Sequence, residues 1–172
     1  MRSSLDLSPD LVYWIKLAGM DLKQGTQADD GRTLIWNKGG ERRYFIDFRD
    51  GLYVITSSDR FSKEDFHFGA DTMVLLEKYL YGHFGGSVRK SQGLPRIQKP
   101  FTRAELREGF SLGITTFFGR EQNALIDPQG KLIAIAAEDR LVELSHYVQV
   151  SVDTIKESFL HADGKPLFAP LS

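Results

Sequence analysis

The first apolar positions recur at helical spacing: Leu11, Ile15 and Ala18, with Val12 and Trp14 beside them. Intervals of three and four predict an amphipathic helix, and Trp14 is read as part of its core stripe. Ser8 is a capping residue, Pro9 suits the first helical position, Asp10 favours the positive end of the dipole, and Gly19 stops the run. The period then changes. Thr33–Asn37, Arg43–Phe48 and Leu52–Ser57 are rich in β-branched and aromatic residues, separated by Gly39-Gly40 and Asp50-Gly51. Asp-Gly tolerates the positive φ of a tight hairpin, so an antiparallel meander is expected. Within Tyr44–Phe48 both alternating sets carry apolar groups. One face is therefore expected against helices and the other against the second half of the chain.

Ser58–Gly69 has no clean period, mixes charges with Phe61, Phe66 and Phe68, and reads as a loop. A helix over about Asp71–Phe84 follows, with Met73, Leu76, Leu80 and Phe84 on one stripe and Gly85-Gly86 as its stop. Ser87–Arg103 is polar and basic, holds Pro95 and Pro100, and reads as a linker. Any sub-boundary in the single domain 1–172 is expected there, at 87–103. Leu112–Phe118 reads as a strand, and Ala124–Ile126 and Leu132–Ala137 flank the turn Asp127-Pro128-Gln129-Gly130. Two helices close the chain, capped by Asp139 and Ser151. The fold class is α+β: an antiparallel β-meander and a second β-hairpin packed with about four helices.

Composition narrows the function. At 172 residues with 41% apolar, 26% charged and 12% aromatic side chains, the chain is globular and fits one domain. A net charge of −1 supplies no general field for a nucleic-acid backbone. The absence of cysteine excludes disulfides, thiolate metal sites and cysteine nucleophiles. No apolar run reaches signal-peptide or membrane-spanning length, so a cytoplasmic protein with no membrane partner is expected.

The usual signatures of chemistry are missing. No two of His67, His83, His146 and His161 stand at i,i+3 or i,i+4, so no metal is expected. The glycines at 82, 85 and 86 fall at a helix C-terminus, whereas phosphate cradles sit at the opposite end. Neither catalytic residues nor a cofactor are expected. The basic residues Arg89, Lys90, Arg96, Lys99 and Arg103 read as a solvated connection, with a nucleic-acid adaptor as the sharper reading.

What remains is the aromatic segment, and its candidate partner-binding residues are Phe61, Lys63, Glu64, Asp65, Phe66, His67, Phe68 and Gly69. Its rings either plug the core beneath the meander or anchor a partner from a rigid protruding finger, since aromatic centres with charged rims typify interfaces. An alternative is a small α+β enzyme or ligand-binding domain around residues 59–67, with Asp59, Arg60, Glu64, Asp65 and His67 as its acid, base and anion anchor.

Leu52–Arg60, the helical run Met73–Gly82 with Glu77-Lys78-Tyr79-Leu80, Asp127–Gly130, Leu144-Ser145-His146 and Asp163–Phe168 together resemble the immunity-factor family that neutralises the tuberculosis necrotizing toxin, among the immunity proteins of polymorphic toxin systems. The resemblance runs from about Thr33 to Phe168. It implies a cytosolic antitoxin, without catalytic residues of its own, bound one-to-one to a secreted NAD-hydrolysing toxin. A pocket that accepts a pyrophosphate calls for positive charge, so an inserted loop bearing Glu64 and Asp65, with Phe66 or Phe68 in place of a ligand ring, would suit it. The choice of this loop rests on composition.

Overall fold

The computed structural model describes residues 4–60 and 62–171. It is α+β, with helix α1 at Pro9–Leu17 and strands β1 Met20–Lys23, β2 Thr33–Asn37, β3 Arg42–Arg49, β4 Leu52–Asp59 and β5 Asp65–Ala70. After them come helix α2 at Met73–Ser91, the short β6 Ile97–Gln98, then β7 Ser111–Phe117, β8 Arg120–Ile126 and β9 Leu132–Ala136. Helices α3 Glu138–Ser145 and α4 Val152–Leu160 and the short β10 Ala169–Pro170 complete the chain. Among the described residues no helix is long and apolar enough to cross a membrane.

The expected meander and hairpin are parts of one sheet. Its order is β1-β2-β3-β4-β5-β9-β8-β7, while β6 and β10 form a separate pair. The junction is β5 against β9, antiparallel, with Phe68 opposite Ala136 and Ala70 opposite Ala134. The second half of the chain therefore extends the sheet edge to edge rather than covering the meander's other face.

Cross-strand partners show how the two faces divide. Ile46 lies opposite Ile55 and Ile55 opposite Phe68, and this face meets the helices in the main core with Leu11, Trp14, Leu76, Leu80, Leu144 and Ile155. All four helices contribute to that core. Phe45, Thr56 and Phe66 are opposite one another on the reverse face, which lacks a described helix over it. Antiparallel sheets tolerate such one-sided cover.

Three local expectations are corrected. Helix α2 runs through Gly85-Gly86 to Ser91, and its end is set by Gln92 and by Gly93 at φ +73°. The internal glycines are there for packing: a Cβ on Gly85 would lie 2.5 Å from ring atoms of Phe159, and one on Gly82 would lie 2.7 Å from the Glu143 carboxylate. The first five residues of the supposed linker, 87–91, are the end of α2, and its Arg89 is only 2% exposed. Finally, α3 starts at Glu138 after an Ala137 cap that accepts no side-chain bond, so Asp139 sits in the first turn instead. The Ser8 and Ser151 caps are as expected, each accepting a backbone N–H of its helix.

Candidate interaction surface

Residues 65–70 form an internal strand, not a loop. The register slips between Ile55 and Thr56: Ile55 faces Phe68, Thr56 faces Phe66, and His67 is the extra residue. Such a bulge sends two successive side chains toward one face. Phe66 lies on the open face, whereas His67 and Phe68 both meet α2, where the Phe68 ring stacks on Tyr79 at 4.0 Å. Phe68 is fully buried, His67 is 3% exposed, and Gly69 is buried under the Phe66 ring. Exposing Phe68 to a partner would forfeit roughly 1.5–3 kcal/mol of burial. The protruding finger is thus corrected to a short tip. Lys63 and Asp65 are exposed there, Glu64 and Phe66 are half-buried, and Phe61 lies outside the described residues.

The tip is tied down by ion pairs. Glu64 accepts two bonds from Arg32, at 2.7 and 3.3 Å, and one from the Thr56 hydroxyl at 2.6 Å. Partial burial raises the Glu64 pKa, but the Arg32 and Thr56 bonds outweigh it and hold the carboxyl below its ordinary value. Asp59 pairs with Arg42 and Arg60 with Glu41.

Beside the tip, Phe66, Phe117 and Phe118 form a surface aromatic cluster with centroids 5.2–5.5 Å apart. Phe118 takes positive φ in the β7–β8 turn, is 37% exposed, and carries the Arg49 guanidinium 5.1 Å from its ring. A depression of about 340 Å³ opens here between Glu64, Phe66, Phe118, Arg120 and Gln122. The same face continues through Phe45, with Arg32 stacked 4.5 Å above it, to Leu34 and Trp36. Its rings are held by strands and guanidinium stacking, so the face is ordered in the free chain.

Sequence spacing misses a second feature, buried between sheet and α2. His67 Nε2 is 2.6 Å from the Tyr79 hydroxyl, which is 3.4 Å from His83 Nδ1. His83 Nε2 is 3.0 Å from the Tyr44 hydroxyl, and Arg42 donates to that hydroxyl at 3.3 Å. An arginine only donates, so the Tyr44 hydroxyl accepts from Arg42 and keeps its own proton for His83; a chain running Tyr44 to His83 to Tyr79 to His67 satisfies every group, each imidazole accepting one bond. Both imidazoles are neutral in that order. Burial, with Arg140 and Arg42 nearby, pushes His67 down to about 2, and burial with Lys99 and Arg140 pushes His83 down to about 4. No signal in the sequence pairs these histidines, because a bulge and a helix bring them together. Among the described residues no group suited to hold a metal ion occurs.

The profile of the Immunity protein 61 family matches residues 14–167. The chain belongs to that family. The "Immunity factor for TNT" of Mycobacterium tuberculosis H37Rv is 57% identical over 168 residues, covering 98% of this chain and 96% of that protein. The "Immunity factor for TNT homolog" of Mycobacterium bovis BCG Pasteur has the same identity and coverage. The solved structure titled "Rv3902c from M. tuberculosis" superposes with a TM-score of 0.95 at 56% identity, covering 99% of this chain and 98% of that one. The resemblance carried by Leu52–Arg60 and the closing Asp163–Phe168 therefore stands.

In this Immunity protein 61 chain the residues proposed for a small enzyme are dispersed. Asp59, Arg60 and Glu64 are each spent on a different arginine or glutamate, and His67 lies on the opposite face of the sheet from Glu64's partner Thr56. The basic segment is broken up too. Arg89 donates to the carbonyls of Pro95, Phe159, His161 and Ala162, Lys99 pairs with Glu143, and Arg103 pairs with Glu138.

Proposed function

We propose that this chain is an antitoxin that binds an NAD-hydrolysing toxin one-to-one in the cytosol and obstructs it without catalysis. The observation that carries the site is the helix-free sheet face, where Phe66 and Phe118 flank a depression beside the charged tip Lys63–Asp65. The names of the relatives, immunity factors for TNT, support the choice of partner. Of the eight residues first singled out, Lys63, Glu64, Asp65 and Phe66 carry the contact. His67, Phe68 and Gly69 support it from inside. Asp65 lacks an ion-pair partner among the described residues and is the acid free to meet a positive pocket.

The test is titration of the toxin's NAD hydrolysis with wild type, Asp65→Lys with Phe118→Asp, and Val74→Asp as a control on an exposed position of α2. The double variant is expected to lose at least about 30-fold in inhibitory potency, the scale of a hot-spot loss. The control keeps full potency. Undiminished inhibition by a folded double variant overturns the site, and NAD consumption by the purified chain alone overturns the obstruction.

A further inference from the structure

A large cavity lies away from that face, between the end of α2, residues 93–99 and α4. Its volume is about 700 Å³, within the few hundred to a thousand that enclose small-molecule ligands. Leu94, Pro95, Ile97 and Phe159 supply apolar wall. Arg89, Lys90 and Arg96 supply charge, and no carboxylate lines it. Arg89 is buried with carbonyls as its only described acceptors, so its charge is not neutralised by an acid. Lys90 and Arg96 are exposed at the rim and enter no ion pair among the described residues. The negative end of the α2 dipole points here, but it is worth about half a charge against three full positive ones.

Gly86 is the second observation. A glycine inside a helix costs roughly 0.5–1 kcal/mol relative to alanine. Gly82 and Gly85 are explained by the Glu143 carboxylate and the Phe159 ring, but a Cβ on Gly86 would meet nothing within 4 Å and its φ is ordinary. Its visible effect is to leave the cavity wall open, since it lines the mouth.

We propose that this cavity binds a small organic anion with an apolar body, its negative group held by Lys90 and Arg96 and its body lying against Leu94, Ile97 and Phe159. The site is independent of the toxin contact. Calorimetric titration of the full chain with decanoate, AMP and inorganic phosphate separates an acyl body, an aromatic body and a bare anion. Decanoate or AMP is expected to saturate below about 1 mM, a modest affinity for ligands of that size, while phosphate does not. Gly86→Leu fills the mouth and Lys90→Glu with Arg96→Glu reverses its charge; each is expected to weaken binding at least tenfold. Lack of saturation by both organic anions overturns the proposal, as does phosphate binding as tightly as either, or binding that survives both variants. Gly86→Leu is expected to inhibit the toxin as wild type does. Loss of inhibition would make the cavity part of a protein interface and overturn the small-ligand reading.

Discussion

Acid is expected to destabilise this protein through two histidines before any carboxylate contributes. His67 and His83 have folded pKa values of about 2 and 4, against about 6.5 in an unfolded chain. Their folded values are depressed, so the unfolded state binds more protons between pH 6.5 and 4. The stability they confer is whole above pH 6.5 and is lost as pH falls. From pH 7.5 to 5 the linkage integrates to about 2 kcal/mol per histidine, or about 4 kcal/mol for the pair. That is a large part of the 5–15 kcal/mol typical of a domain. The cause is visible in the geometry: both imidazoles are buried against tyrosine hydroxyls, and Arg42, Arg140 and Lys99 surround the pair. The depressed carboxyls of Asp10, Asp30 and Glu64 lose their contribution only at still lower pH, outside this window.

Urea unfolding at pH 7.5 and pH 5 measures the effect. With a slope near 2 kcal/mol per molar, typical for a small protein, the midpoint should fall by about 2 M. His67→Gln with His83→Gln keeps acceptors for the tyrosines but removes the titration. That variant should start lower at pH 7.5 and change little on acidification. An equal midpoint at both pH values in wild type refutes the argument, as does a full acid drop in the double variant.

Adjacent glycines should respond oppositely to alanine. Gly85→Ala, forced against Phe159, is expected to cost about 1–2 kcal/mol, whereas Gly86→Ala should gain about 0.5–1 kcal/mol, both read as Tm shifts. Arg89→Met leaves the carbonyls of Pro95, Phe159, His161 and Ala162 without their donor and should cost more than about 3 kcal/mol in urea unfolding. Phe68→Ala should cost about 3–5 kcal/mol and Phe118→Ala less than about 1, so equal losses would contradict the division of the sheet into covered and open faces.

The elements legible in the sequence are those whose signals are local. Ser8-Pro9 and Ser151 begin helices as capping chemistry demands, and Asp50-Gly51 turns the β3–β4 hairpin with positive φ at both positions. What escaped was decided by distant partners. The bulge at His67 destroys the period-two pattern that would have marked β5 as a strand, and β5 finds its second neighbour in β9, well over fifty residues on. Gly82 and Gly85 read as a stop because Tyr147 and Phe159, which occupy their missing side chains, lie far along the chain. Arg89 looked solvated because its acceptors are backbone carbonyls, which carry no sequence signature.

The same bulge links the fold to the proposed contact face. Were β5 regular, His67 would point to the open face and Phe66 and Phe68 would share the other. The extra residue instead puts His67 and Phe68 into the core and leaves Phe66 outside, over Gly69 and against Phe117 and Phe118. One backbone irregularity thus closes the tyrosine–histidine chain inside and completes the aromatic cluster outside. The proposed obstruction calls for contact groups fixed before binding, because each side chain ordered at an interface costs about 0.5–1.5 kcal/mol. Here Phe66 and Phe117 ride on strands, Phe118 on a tight turn, and Glu64 is clamped by Arg32 and Thr56. Since the described helices pack against the opposite, core face of the sheet, residues on this face can vary to fit a partner while the core that holds them stays unchanged.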